Sequence, residues 1–474
     1  MPSIKFGTEG WRGIIADDFT LANVRFVTHA IAHYIKKASP PGSGMMIGYD
    51  CRAQSEEFAE AAAEVLRAHG FKTLRAPKPV SSPAAVHGML THQMQGAIMF
   101  TASHNPAAFH GIKFKPYYGG AALTEITAGI EQELERLAPE YETLIERPGN
   151  ADAGQEHDPV PAYLNYLREF VDMGAIAKAN LNVATDAMYG SGAGYLPTLL
   201  REAGAQVTAL REERNPWFGG AGPEPTAKNL TPLSEAVRNA GAMAGVAVDG
   251  DADRIGAVDE HGNFVDSHRI FAIVLRHLVE VRGWRGGVVK TFSVSRLIDR
   301  LAEHYGLTLH ETPIGFKFIC ELMLNEDILM GGEESGGIGI KRYMLERDGV
   351  LMAMLILEAM AVSGKTLSQL VEDVYAITGR MAYRRIDAHF KRDQMPALRE
   401  RLNGANPSTV GDWSVQSVSA LDGRKFLMTD GSWLLMRASG TEPVVRVYAE
   451  TERDADAEAL AAAGERLLRE LIGI

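Results

Sequence analysis

Three aspartates occupy every second position of Val248-Asp249-Gly250-Asp251-Ala252-Asp253-Arg254, directly after an apolar run. Carboxylates this close repel one another unless a cation lies among them, and an all-oxygen ligand set selects a hard ion such as Mg²⁺. Glu260 falls at the offset of an EF-hand glutamate, but Arg254 stands where that loop requires glycine and no helix precedes it. The spacing of Asp249 and Asp251 also suits a phosphatase that uses an aspartate nucleophile. A second segment, which supplies a hydroxyl, weighs against that reading. Thr101-Ala102-Ser103-His104-Asn105-Pro106 follows another apolar run, with Gly111-Ile112-Lys113-Phe114-Lys115 behind it. A serine beside a histidine, with proline setting a sharp turn, can present a nucleophile at a strand end. It is not the GxSxG elbow of the hydrolases.

Two further loops have the chemistry of a phosphorylated sugar. Gly331-Gly332-Glu333-Glu334-Ser335-Gly336-Gly337 combines backbone freedom with carboxylates and a hydroxyl, groups that exchange hydrogen bonds with ring hydroxyls. Arg437-Ala438-Ser439-Gly440-Thr441-Glu442-Pro443 pairs an arginine fork with hydroxyls and glycine-freed amides, a cradle for phosphate. Gly364-Lys365-Thr366 imitates the end of a P-loop, but Ala359 stands where its first glycine belongs. Gly190, Gly192 and Gly194 imitate a dinucleotide loop whose third glycine is misplaced.

The elements that must position these loops follow α/β grammar. Apolar, β-branched runs alternate with amphipathic Ala/Leu/Glu stretches, and they lack the alternation of a half-exposed antiparallel sheet. Strands are predicted at 45–49, 96–100, 181–185, 245–248, 287–290 and 328–330, and helices at 56–69, 196–203 and 295–305. Each chemical loop thus follows a strand, at the carboxyl edge where ligands of parallel sheets gather. After about residue 375 the grammar changes to short strands, 432–436 and 444–449, closed by a helix over 454–471. Pro148 to Pro161 reads as a linker, with a softer boundary between Asp253 and Asn263. The predicted domains are 1–152, 153–257, 258–374 and 375–474.

The 474 residues suffice for several cores, with 46% hydrophobic and 23% charged residues. A net charge of −12 disfavours nucleic acid and anionic lipid as partners. Two distant cysteines, Cys51 and Cys320, build neither a disulfide framework nor a cysteine zinc site, so a cytoplasmic setting is expected. No signal peptide is expected from the start of the sequence. Val350 to Val362, interrupted by Glu358, reads as a buried helix rather than a membrane span.

The order of the four loops, together with Gly7-Thr8-Glu9-Gly10-Trp11-Arg12-Gly13, resembles the α-D-phosphohexomutases along essentially the whole chain. The resemblance implies three similar α/β domains with mixed sheets flanked by helices, and a smaller C-terminal α+β domain, around a central cleft. It implies that Ser103 bears a phosphoryl group and that Asp249, Asp251 and Asp253 hold one Mg²⁺, completed by an oxygen of phospho-Ser103. Arg12, His104, Lys113 and Arg254 match positions near the phosphoserine, with Lys113 as general acid/base. Glu333 and Ser335 would grip ring hydroxyls, Lys290 and Lys317 would contact substrate, and Arg437, Ser439, Gly440 and Thr441 would hold the unreacting phosphate. The implied reaction interconverts hexose 1- and 6-phosphates, with glucose 1,6-bisphosphate as intermediate and activator. Glu334 and Gly315-Phe316-Lys317 follow the glucose members of the family, while Gly337 departs from the histidine of the mannose and glucosamine members. Phosphomannomutase activity, alone or beside glucose, and phosphoglucosamine mutase activity stay open, as does a non-catalytic sugar-phosphate sensor; small-molecule hexose phosphates are the expected partners, with the chain a monomer or homodimer.

Overall fold

The computed structural model describes residues 4–7, 9–148, 154–439 and 443–473. Two compact units emerge, residues 1–287 with 315–371, and residues 288–314 with 372–474.

The first unit opens with a six-stranded sheet of β1 (Gly10–Ile14), β2 (Met45–Tyr49), β3 (Thr73–Arg75), β4 (Gly96–Phe100), β5 (Phe109–Pro116) and β6 (Gln155–Glu156), in the order β1-β5-β4-β2-β3-β6. Strands β4, β2, β3 and β6 run parallel, whereas β5 is antiparallel to both β4 and β1. Every residue of β2 and β4 is buried, which is why both read as unbroken apolar runs rather than alternating ones. Helix Ser55–Ala68 packs on β2 and β3, and helix Ser82–Thr91 packs on β2 and β4. The latter starts well because Ser81 accepts from the Ala84 amide and proline fills its first turn. Strand β6 lies inside the segment expected to be a linker: its two residues pair with β3, and a helix over Val160–Phe170 follows.

A second sheet consists of β7 (Asn182–Asp186), β8 (Gln206–Leu210), β9 (Ala244–Val248), β10 (Ile255–Asp259) and β11 (Phe264–Val265), in the order β11-β10-β9-β7-β8. Its β7, β8 and β9 are parallel, and β10 turns back antiparallel on β9. The position between residues 257 and 258, where the sequence reading divides two domains, lies within β10. The hairpin of β9 and β10 makes the aspartate segment a tight turn between two buried strands.

Two following strands, β12 (Gly287–Thr291) and β13 (Leu309–Thr312), are a parallel pair assigned chiefly to the second unit. The chain then returns to the first unit with the antiparallel pair β14 (Ile328–Gly332) and β15 (Ile338–Ile340), whose turn is the Glu333 loop. Helix Gly349–Ser363 is buried along nearly its whole length, and its N-cap Asp348 accepts from the Leu351 amide. Among the described residues no single helix is long and apolar enough to cross a membrane. Cys51 and Cys320 are both buried free thiols.

The second unit is completed by β16 (Ala382–His389), β17 (Thr409–Val410), β18 (Trp413–Ser419), β19 (Arg424–Met428), β20 (Trp433–Ala438) and β21 (Val444–Thr451), antiparallel throughout in the order β16-β21-β20-β19-β18-β17. Helices Met395–Gly404 and Asp454–Ile472 contribute Leu398, Leu402, Leu460 and Leu468 to a core with Phe426, Leu434 and Val447.

Candidate active site

Ser103 sits just past β4 with φ of 51°, a left-handed conformation that a serine adopts only where its surroundings enforce it. The enforcement comes from Arg52, a residue the sequence motifs pass over. Its fully buried guanidinium donates to the carbonyls of Ser103 and Asn105, both at 2.6 Å, Pro106 at 2.8 Å and Phe109 at 2.9 Å. Asp50 balances that charge across 3.1 Å and is itself held by the Ser55 hydroxyl at 3.0 Å. The Phe218 ring caps the guanidinium from the other side at 4.9 Å. Within the loop, the Ser103 amide donates to Thr101 Oγ1 at 2.8 Å.

So held, the Ser103 hydroxyl donates to Asp249 Oδ2 at 2.7 Å. The Ser103 loop and the aspartate turn can approach this closely because residue 250 is glycine: a Cβ there would lie 2.7 Å from the Ser103 carbonyl oxygen. Asp249, Asp251 and Asp253 are all fully buried, and one carboxylate oxygen from each falls within 4.8 Å of the others. Asp249 Oδ1 accepts from the amides of Asp253 and Arg254, at 3.0 and 3.1 Å, which closes the turn. Asp251 Oδ2 accepts from the Ser82 hydroxyl at 2.6 Å and from the Lys113 ammonium at 2.8 Å. By contrast, Asp251 Oδ1 and Asp253 Oδ1 are buried with no hydrogen-bond partner among the described residues. Buried unpaired carboxylate oxygens are costly. A hard dication bound by Asp249, Asp251 and Asp253 would remove that cost, so the donor set fits the expected Mg²⁺.

The local charges point the same way. Burial, and then the neighbouring Asp251 and Asp253, push Asp249 well above the usual carboxylate range. Burial opposes ionisation of Asp251 too, but Lys113 and the Ser82 hydroxyl hold it below that range. Lys113 is itself buried, and Asp251, Asp253 and Glu9 outweigh the burial and keep its ammonium charged above the usual lysine range.

Arg347 ties the turn to its surroundings, and it too was missed from sequence. Its buried guanidinium lies 2.6 Å from Glu9 Oε2, 2.6 Å from Asp253 Oδ2 and 3.0 Å from Glu333 Oε2. Glu333 thereby joins the cluster. Its loop is fixed by amide bonds from Glu333 to the Gly337 carbonyl at 3.0 Å and from Ile255 to the Gly336 carbonyl at 3.2 Å. A buried Lys115–Glu346 ion pair stands beside it. The helix start at Gly349 completes the packing: its amide donates to the Ala252 carbonyl at 3.0 Å, and any Cβ at 349 would meet the Arg254 carbonyl at 2.2 Å.

Of the other expected residues in this unit, His104 places Nδ1 3.4 Å from Ser103 Oγ. Arg12 is exposed and donates to Asn105 Oδ1 at 3.1 Å. Arg254 keeps its Nε 3.8 Å from Asp253 Oδ1. Ser335 is half-buried in the Glu333 loop, and Lys317 lies in the first turn of helix Phe316–Asn325 with its ammonium over the Phe318 ring.

The rest belong to the second unit. Arg437 Nε donates to Asp422 at 2.9 Å, and the Ser439 carbonyl accepts from Arg399 at 2.5 Å. Gly440 and Thr441 lie outside the described residues. Lys290, expected to contact substrate, is buried and neutralised by Asp299 at 2.5 Å and Glu311 at 3.4 Å.

Four family models described as phosphoglucomutase/phosphomannomutase match the chain: alpha/beta/alpha domain I over residues 3–140, domain II over 161–262, domain III over 266–377 and the C-terminal domain over 390–466. A phosphoglucosamine mutase of Frankia casuarinae is 30% identical over 471 residues, covering 96% of each chain. The chain belongs to the phosphohexomutase superfamily. Its three α/β domains carry mixed sheets flanked by helices, and a small fourth domain follows. A phosphoglucomutase/phosphomannomutase of Thermococcus kodakarensis is 29% identical, covering 98% of this phosphohexomutase and 99% of the relative. The crystal structure of a protein from Thermus thermophilus, named as a phosphomannomutase, matches with a TM-score of 0.86 at 33% identity over 98% and 99% of the two chains.

Proposed function

We propose that this phosphohexomutase interconverts glucose 1-phosphate and glucose 6-phosphate, passing through phospho-Ser103 and glucose 1,6-bisphosphate. The 2.7 Å contact of the Ser103 hydroxyl with Asp249, inside a buried carboxylate cluster with unpaired oxygens, supports this reading more than any other observation. In the first transfer the Ser103 Oγ–P bond breaks and a bond from phosphorus to the free sugar hydroxyl forms, that hydroxyl giving up its proton as Ser103 Oγ regains one. The bisphosphate reverses, and in the second transfer Ser103 takes back the other phosphoryl while the sugar oxygen regains a proton. Phosphoryl transfer depends on positioning and charge neutralisation, and Mg²⁺ held by Asp249, Asp251 and Asp253 would neutralise charge on the phosphoryl oxygens. Arg52 fixes the loop that carries Ser103 Oγ through its backbone carbonyls. Lys113, held as an ammonium, is a proton donor in this arrangement, and accepting a proton requires that it first surrender one. His104 places Nδ1 3.4 Å from Ser103 Oγ, within reach of the reacting atom. Arg12, Arg254, Lys317 and Ser335 would contact substrate with Glu333, and Arg437 and Ser439 would hold the unreacting phosphate.

Glu334 and Gly315-Phe316-Lys317 support glucose as the sugar, whereas the relatives described above are named for mannose and glucosamine as well. The test is ³¹P NMR with Mg²⁺, a trace of the bisphosphate, and glucose, mannose or glucosamine 1-phosphate in separate tubes. Conversion of the glucose 1-phosphate signal to the 6-phosphate without free phosphate is the expected result. Faster turnover of another sugar moves the specificity to it, and free phosphate in place of interconversion sinks the mutase reading.

A further inference from the structure

The Glu333 loop has an unusual neighbour in the stem of Arg347. A Cβ added at Gly337 would lie 2.4 Å from Arg347 Cδ and 3.3 Å from Glu333 Oε2. Residue 337 is therefore bare because the arginine stem fills the space a side chain would need. The guanidinium is then delivered against Glu333 Oε2 at 3.0 Å, and Oε1 of the same carboxylate makes no hydrogen bond among the described residues. The far side of the fork is anchored by Glu9 and Asp253, both at 2.6 Å, and its face stacks on the Phe316 ring at 5.3 Å. An arginine fork so constrained fixes direction as well as charge.

We propose that Arg347 is the positioning residue of the sugar-gripping loop, and that by countering the charge of Glu333 it makes the loop select a neutral ring hydroxyl over a protonated ring amine. This rests on the function proposed above and names how its sugar is chosen. With Oε2 committed to Arg347, Glu333 offers Oε1 alone, so it accepts one hydrogen bond in one direction. Because the site is buried, charge is weakly screened and the balance matters. A lone Glu333 carboxylate would attract the ammonium of a glucosamine phosphate, whereas one already paired with a guanidinium gains little from a second cation. The anchoring by Glu9 and Asp253 means that losing Arg347 makes the surroundings more negative still.

The experiment measures kcat and KM for glucose 1-phosphate and glucosamine 1-phosphate in the wild type, Arg347→Lys, Arg347→Met and Gly337→Ala. Arg347→Met is expected to raise KM for glucose 1-phosphate about tenfold, the scale of one lost charge-assisted hydrogen bond, and to shift the kcat/KM ratio toward glucosamine by a similar factor. Arg347→Lys keeps the charge but loses the fork, so KM should rise while the ratio between sugars stays near that of the wild type. Gly337→Ala, which pushes the stem aside without removing charge, should raise KM for both sugars, and it decides the matter if Arg347→Met does not fold. Unchanged KM values and an unchanged ratio, with kcat lowered equally for both sugars, would mark Arg347 as merely structural and overturn the inference. Should the wild type interconvert neither sugar, the proposed function fails on its own. Calorimetric affinities of wild type and Arg347→Met for the two sugar phosphates then judge the inference by the same ratio.

Discussion

Each unit gathers a cluster of charged side chains, buried in the first and partly open to solvent at Asp299, Glu311 and Arg296 in the second, and the two clusters are built on opposite principles. In the second unit Lys290, Lys425 and Arg296 meet Asp299, Glu311 and Glu450, so cations and anions are equal in number. Lys425 also donates to the Phe292 carbonyl at 2.9 Å and lies over the Phe292 and Trp433 rings, and Trp433 Nε1 donates to Glu450 at 2.8 Å. In the first unit, among the described residues, Asp249, Asp251, Asp253, Glu9 and Glu333 face Lys113, Arg254 and Arg347, and two aspartate oxygens have no hydrogen-bond partner. Among these residues carboxylates outnumber cations, and the crowding pushes Asp249 toward its neutral form, which leaves the cluster suited to a dication. A balanced, saturated cluster stabilises the fold as it stands, whereas an unbalanced one is costly until a ligand completes it.

The contrast can be broken most decisively at the nucleophile. Ser103→Ala should abolish phosphoryl transfer, by about a thousandfold or more, because among the described residues no neighbouring hydroxyl shares the contact with Asp249. Interconversion assays and loss of phosphate incorporation into the protein check it. Asp249→Asn is the next test. It should reduce activity by about a hundredfold or more and remove most of the rise in melting temperature that Mg²⁺ gives the wild type, since a ligand that binds only the folded state stabilises it. Without Mg²⁺ the same variant should be no less stable than the wild type, because it relieves a buried, repelled carboxylate. A marked loss of stability in the metal-free variant would show that this cluster is as saturated as the other.

Glu311→Gln in the second unit should do the reverse. It leaves Lys290 and Lys425 short of a counter-charge and should destabilise by about 1–3 kcal/mol in denaturant titration. The response to Mg²⁺ should be untouched.

The smallest effect concerns a third kind of buried charge. Asp348 is raised to about 7 by burial, against the bonds from the Leu351 amide and the Tyr163 hydroxyl that favour its ionised form. A carboxyl raised on folding binds more protons in the folded than in the unfolded chain between about pH 4 and 7. Its contribution is therefore fully present below the unfolded value and is lost as pH rises toward 7, by about 1 kcal/mol between pH 5 and 6. Asp348→Asn keeps the helix cap and removes the titration. The difference in unfolding free energy between wild type and variant should change across that window, and a constant difference would refute the raised value.

The same division explains what could be read without a structure. Strands β2 and β4 and the loops that follow strands were legible because the signal is contiguous: an unbroken apolar run ends in a polar turn, and Asp249, Asp251 and Asp253 declare themselves by spacing. Arg52 and Arg347 were not legible. Arg52 sits in an ordinary polar stretch between a strand and a helix, and its role arises only when four carbonyls of residues 103 to 109 close over it. Arg347 precedes a helix cap and reads as an exposed flank, yet it is buried against three carboxylates from distant segments. Lys290, given a substrate role by the family resemblance, lies within β12, where Asp299 and Glu311 pair with its ammonium.

By itself the sequence determined the α/β grammar, the serine loop after a strand, the alternating aspartates and the order of the four loops, because each is encoded by neighbours along the chain. Only the tertiary structure decided which charges are balanced and which are left short, which arginine holds the Ser103 loop, and why residue 337 must be bare. Those properties depend on how many donors and acceptors converge on one buried point. Convergence is a sum over segments hundreds of residues apart, so no local pattern records it.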